Sequence, residues 1–169
     1  SPMSRGLGDV YKRQNDINLP ITICQDISVY LDSTGNVALD SNALDNGSFD
    51  NCSIASFSLS ANAFTCNEIG DNLVIMTAED DSGNKRGCTG VVTVVDSLAP
   101  AVACQDISVQ LDADGNASIS TADIDNGTVD NCSFATTISV DSFTCADLGA
   151  NAVVLTAIDA DSNVAVCNA

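Results

Sequence analysis

The chain states nearly the same sentence twice, with its cysteines in register, and that constrains its fold more than any other feature. Pro20-Ile-Thr-Ile-Cys-Gln-Asp-Ile-Ser-Val-Tyr-Leu31-Asp returns as Pro100-Ala-Val-Ala-Cys-Gln-Asp-Ile-Ser-Val-Gln-Leu111-Asp, 80 residues later. Asp45-Asn-Gly-Ser-Phe-Asp-Asn-Cys-Ser53 returns as Asp125-Asn-Gly-Thr-Val-Asp-Asn-Cys-Ser133 at the same offset. One residue is then lost, so Phe64-Thr-Cys66, Asn84 and Cys88 recur 79 residues on as Phe143-Thr-Cys145, Asn163 and Cys167. A fixed period of this size marks an array of similar small units. The units are placed at 15–97 and 98–169.

Residues 1–14 stand outside the period. Asp9-Val-Tyr-Lys-Arg-Gln14 resembles the translation of a sequencing-adapter end, and the segment has no apolar stretch of the kind a secretion signal needs. It is read as a non-native leader. Setting it aside removes three of the five basic side chains and one of the 23 acids, leaving 22 acids against two bases, a net of −20. Nucleic acid, which is bound through Lys and Arg on its phosphates, is excluded as a partner. No apolar run is long enough to insert in a membrane. Asp16 aligns with Asp96, which follows the apolar stretch Thr89–Val95. Asp16 therefore reads as the end of a preceding repeat, and the second unit as lacking the strand equivalent to Thr89–Asp96.

The apolar residues of each unit come in short runs. Ile27-Ser-Val-Tyr-Leu31 and Ile54-Ala-Ser-Phe-Ser-Leu59 alternate, as half-buried strands do, whereas Leu73–Ala78 and Val91–Val95 are denser. Turn formers separate them at Asp32-Ser-Thr-Gly-Asn36, Asp45-Asn-Gly47 and Asp81-Ser-Gly-Asn84. Six or seven short strands in about 80 residues predict an all-β chain of two tandem immunoglobulin-like β-sandwiches.

So small a unit, with few aromatics, buries little apolar surface, and four cysteines per unit supply the remedy. The chain holds no His and no Cys-x-x-Cys pair, which argues against zinc. Cys24 opens the first strand and Cys88 opens the last, and in such a sandwich these strands run side by side. Cys52 and Cys66 bracket an expected hairpin through Leu59 and Ser60. The expected bonds are thus Cys24–Cys88, Cys52–Cys66, Cys104–Cys167 and Cys132–Cys145.

Cys-Gln-Asp-Ile-Ser-Val, Leu-Asp-x-x-Gly-Asn, Asp-Asn-Gly-x-x-Asp-Asn-Cys and Phe-Thr-Cys, kept in order in both copies, resemble hyalin-repeat-like modules. Val95-Asp-Ser-Leu-Ala-Pro100 is similar to the joints of that family. The resemblance covers 16–169 and implies secreted or cell-surface immunoglobulin-like units, arrayed for adhesion or as spacers. Asp161-Ser-Asn163 departs from Ser82-Gly-Asn84, which puts that turn in question.

Without His, neither a Ser-His-Asp nor a Cys-His catalytic arrangement can be built. No glycine-rich phosphate loop opens a helix. The chain reads as a non-enzymatic extracellular module, a stalk, spacer or adhesive array. The alternative is a carbohydrate-binding accessory module of a secreted hydrolase. Partners are neighbouring repeats of the same chain, with a surface glycan or a protein as ligand. No cofactor is required by the pattern, but loops dense in Asp and Asn can supply the six to eight oxygens of calcium. Candidate ligands are Asp45, Asn46, Asp50 and Asn51, and their repeats Asp125, Asn126, Asp130 and Asn131. The same residues serve equally as turn formers and caps. Tyr30 and Phe49 are unrepeated and read as exposed, Phe64 and Phe143 as core.

Overall fold

The structure is a computed structural model and describes residues 16–169; the leader at 1–14 lies outside the described residues. The chain is all-β. In the first repeat β1 (Ile27–Tyr30), β6 (Lys85–Val95), β5 (Gly70–Asp80) and β3 (Ile54–Leu59) form a four-stranded sheet in that order. β2 (Asn36–Ala38) and β4 (Ala63–Thr65) pair separately. β1 runs parallel to the second half of β6, Ile27 facing Val92 and Tyr30 facing Val95. The long β5–β6 hairpin turns at the loop Asp81-Ser-Gly-Asn84, where Gly83 takes a left-handed φ of +87°.

Alternation along these strands fills one core: Leu31, Leu44, Phe64, Val74, Met76, Val92 and Val94 are all buried. The inward positions of β6 are Gly90, Val92 and Val94, and the branched valines suit a pleated surface. The Cys24–Cys88 bond closes the parallel edge, with Cα atoms 5.8 Å apart. Its counterpart Cys104–Cys167 closes the second repeat at 5.9 Å. Both follow the expectation from strand order.

The second repeat keeps the plan with fewer strands. β8 (Phe134–Ile138), β10 (Val154–Asp159) and β11 (Val164–Asn168) form its sheet, and β7 (Asn116–Ser118) pairs β9 (Ser142–Thr144). A single turn of helix, α1 (Thr121–Ile124), inserts Ile124 into a core of Ile119, Ile124, Val153 and Leu155. The Ser162 turn repeats that of Gly83 despite the changed residue: Ser162 takes φ +70°, and the Asp159 N–H donates to the Asn163 carbonyl as the Asp80 N–H does to that of Asn84. β11 corresponds to the first half of β6, so the expected missing strand is corrected to the half equivalent to 91–95. Residues 107–110 form no strand, and Ile107 and Val109 are 38% and 46% exposed. A groove of about 700 Å³ opens between them, Phe143, Leu148 and Val153.

The expected Cys52–Cys66 and Cys132–Cys145 bonds are overturned. Cys66 instead bonds Cys132 across the two repeats, with Cα atoms 5.7 Å apart, and Cys52 and Cys145 are free and exposed. The reason is topological. Ser60–Asn62 is no hairpin but a crossing without reversal: β3 runs along β5 from Asp80 to Met76 in one sheet, and β4 continues in the same direction in the other, where Thr65 reaches Asn36. Cys52, ahead of β3, and Cys66, after β4, therefore reach different ends of the unit.

Candidate metal centre at the joint between repeats

β6 delivers Asp96 to the junction, and the second repeat grips it from several sides. The Asp96 N–H donates to Asp161 Oδ2 at 2.7 Å, and its carbonyl accepts from Asn163 Nδ2 at 3.0 Å. Its Oδ1 accepts from the Leu98 N–H and from Asn131 Nδ2, both at 3.1 Å. Asn131 Nδ2 also lies 3.3 Å from the carbonyl of Asp32, on the first repeat. Beside it Gly35, at φ +72°, meets the Asn131 carbonyl so closely that a Cβ there would lie 2.6 Å from that oxygen. Glycine is required at this spot for its left-handed backbone and for the approach.

Carboxylate oxygens of Asp96, Asp130 and Asp159 gather within 4.8 Å of one another. Asp96 and Asp159 are 3% and 7% exposed. Asp159 accepts from the Asn163 N–H and from Asn163 Nδ2, both at 2.8 Å, and Asp130 Oδ2 accepts from the Cys132 N–H at 3.1 Å. Two buried oxygens, Asp96 Oδ2 and Asn131 Oδ1, have no hydrogen-bond partner. Leaving a buried acceptor unpaired costs about 1–3 kcal/mol, more if it is charged. Among the described residues the one ion pair is Lys85 with Glu79, at 3.1 Å, so no basic side chain offsets the three acids. A hard divalent cation would do so. Three carboxylates and an amide carbonyl, with no nitrogen or thiolate among them, suit calcium, which takes oxygen ligands in flexible geometry.

Half of this arrangement recurs at the other end of the first repeat. Asp16, Asp50 and Cys52 cluster, Asn51 Nδ2 donates to Asp16 Oδ2 at 2.8 Å, and Asn84 Nδ2 donates to the Asp16 carbonyl at 3.0 Å. The Asn18 N–H, then the Cys52 thiol, hold the Asp16 carboxyl below its usual range. The same contact with Asp16, together with burial, pushes the Cys52 thiol up. At Asp80 burial favours the neutral acid, but bonds from Asn84 and the Ser82 N–H outweigh it and the carboxyl sits low.

Of the expected calcium ligands, Asp50, Asp130, Asn51 and Asn131 lie at these two ends. Asp45 and Asp125 do not join them. They close their own turns by accepting from the backbone of Ser48 and Thr128, each at 2.9 Å. Asn46 and Asn126 are exposed on those turns. Asp96 and Asp159 escaped the sequence reading as ligands, although both recur, as Asp16 and Asp80. Phe64 is core, Tyr30 and Phe49 are 60% and 54% exposed, and Phe143 is half-buried beside the open groove.

Beside the joint, acids also act as caps. Asp32 is held below its ordinary value of 3.8 by the Thr34 hydroxyl and the Asn36 and Thr34 N–H groups. Because the folded value lies below the unfolded one, this contribution is complete above about pH 4 and fades as pH falls through the folded value. Asp32→Asn is therefore expected to lower the urea midpoint at neutral pH and to converge with the parent chain in acid, below the folded value. A gap that does not narrow in acid would show that the charge is not what the turn uses.

No protein-family model and no curated protein matches the chain. Among solved structures it is similar to protocadherin gamma B7 extracellular cadherin domains 1–4, at 12% identity and a TM-score of 0.39. It is also similar to the human desmocollin-1 ectodomain, at 11% identity and a TM-score of 0.34. The matches cover 90% and 92% of this chain but 48% and 36% of those chains, so it spans half their length or less. Likeness this distant leaves the joint to be interpreted from its own residues.

Proposed function

We propose that the chain is a non-enzymatic extracellular spacer, part of a stalk or adhesive array, whose repeats are fixed end to end by a disulfide and a calcium ion at one joint. The observation that carries this is the Cys66–Cys132 bond, which ties one repeat to the next rather than stapling either. A flexible tether would need no such cross-link beside the short connection Asp96-Ser-Leu-Ala-Pro100, itself held at Asp96. Three disulfides persist only in an oxidising compartment, which supports a secreted or surface location. Asp96, Asp130, Asp159 and Asn131 would hold the ion, which supplies the missing positive charge. The hyalin-repeat-like motifs support the same reading.

Small-angle X-ray scattering tests the spacer. The intact chain in calcium should give one narrow distribution of distances, longer than a single repeat. Cys66→Ser with Cys132→Ser, in chelator, should broaden it towards compact and bent forms. Identical profiles from the two samples would remove the claim that this joint sets the shape.

A further inference from the structure

We propose that Cys145 of one copy and Cys52 of another are the two halves of a joint built like Cys66–Cys132, so that copies of this chain join head to tail. Each free thiol stands in the local frame of its bonded equivalent. Cys66 follows Thr65, whose N–H donates to Glu68 at 2.8 Å, and Cys145 follows Thr144, whose N–H donates to Asp147 at 2.8 Å. Cys66 Sγ lies 3.8 Å from the Gly35 carbonyl, and Cys145 Sγ 3.8 Å from that of Gly115. At the other end the Cys132 N–H donates to Asp130 at 3.1 Å, and the Cys52 N–H donates to Asp50 at 3.0 Å.

The surroundings match as well. Asn51 and Asn84 hold Asp16 by its carboxylate and carbonyl, as Asn131 and Asn163 hold Asp96. Asp50 Oδ1 is buried without a hydrogen-bond partner among the described residues, as Asp96 Oδ2 and Asn131 Oδ1 are at the joint between the repeats. Against Gly35 sits the Asn131 carbonyl, but a Cβ on Gly115 would meet only Cys145 Sγ, at 2.7 Å, so that seat is open. The two surfaces differ from each other, so their contact is heterologous. It does not close on two copies, and linear growth follows.

The chemistry is thiol–disulfide exchange with a small disulfide such as oxidised glutathione. One thiol displaces glutathione to give a mixed disulfide, and the second thiol then displaces the other glutathione. One S–S bond forms and one breaks, the two protons ending on the released glutathione thiols. The inference rests on the joint's disulfide and not on its calcium. Run in chelator, its test can fail or succeed independently of metal binding.

Cys52→Ser and Cys145→Ser chains, each melting as the parent does, are incubated in glutathione redox buffer separately and mixed. The mixture should give a covalent dimer whose cross-linked peptides carry Cys52 and Cys145, each variant alone should remain monomeric, and the parent chain should form a ladder. Dimers from either variant alone, as abundant as in the mixture, would mean indiscriminate surface thiols and overturn the proposal. So would monomers throughout.

Discussion

Replacing Cys104 and Cys167 by alanine is expected to unfold the second repeat at room temperature while leaving the first folded. The bond closes 63 residues, and restricting an unfolded loop of that size stabilises the native state by about 4 kcal/mol. Cys24–Cys88 closes nearly the same loop, 64 residues, so the entropic term cannot distinguish the repeats. Their cores can. Seven buried apolar side chains form the first and four the second, where Ile107 and Val109 face solvent. Domains of this size hold a margin of only about 5–15 kcal/mol, and with four core side chains the second repeat is expected below that range, within the about 4 kcal/mol that the bond supplies. Amide NMR dispersion reads the outcome. Half the dispersed signals should vanish in the Cys104/Cys167 variant, whereas Cys24→Ala with Cys88→Ala should keep both sets and lower the melting temperature. Equal damage from the two would mean that the open groove costs the second repeat nothing.

Adding Val-Val-Thr-Val-Val-Asp after Ala169 should have the opposite effect on the same repeat. In the first repeat Val92 and Val94 are 0% and 1% exposed and face the core between β1 and β5. The extension would bury two valines and re-cover Ile107 and Val109, four branched side chains worth about 1.5–3 kcal/mol each. The restored ladder hydrogen bonds tip the balance against about 1–2 kcal/mol for ordering each of six residues. A net gain of about 1–2 kcal/mol corresponds to a rise of roughly 10 °C in the second repeat's melting temperature. The control is Val-Thr-Val-Thr-Val-Asp, which puts its valines at the outward positions and threonine at the two inward ones. If both extensions act alike, apolar length rather than strand register fills the groove.

The repeat made much of this fold legible. Alternation in Ile27–Leu31 and the density of Val91–Val95 located the strands, and Cys24 and Cys88 at their starts located one bond per repeat. The other bond was hidden by periodicity itself. When identical cysteines recur every 79 or 80 residues, pairing within a copy and pairing with the next copy leave the same spacings. Only the crossing at Ser60–Asn62, which carries the chain from one sheet to the other without turning it back, decides between them, and its short run of small and polar residues looks like a hairpin turn. The metal centre was half legible for a related reason. Asp130 and Asn131 stand in an obvious acidic cluster, but Asp96 and Asp159 are single acids at strand ends, brought to them by the fold. Asp45 and Asp125 belong to the same sequence cluster and spend their carboxylates on their own turns.

Calcium titration by isothermal calorimetry tests the central claim, that the joint between repeats is a cation site. The intact chain should bind calcium at the joint with an affinity of about 0.1–1 mM, the range of extracellular modules. Calcium should also raise its melting temperature more than a sodium salt of matched ionic strength does. Asp96→Asn with Asp159→Asn should abolish both effects and leave the three disulfides in place. Equal heats from the double variant, or equal melting temperatures in the two salts, would contradict the claim and leave the Cys66–Cys132 bond as the joint's sole fastening.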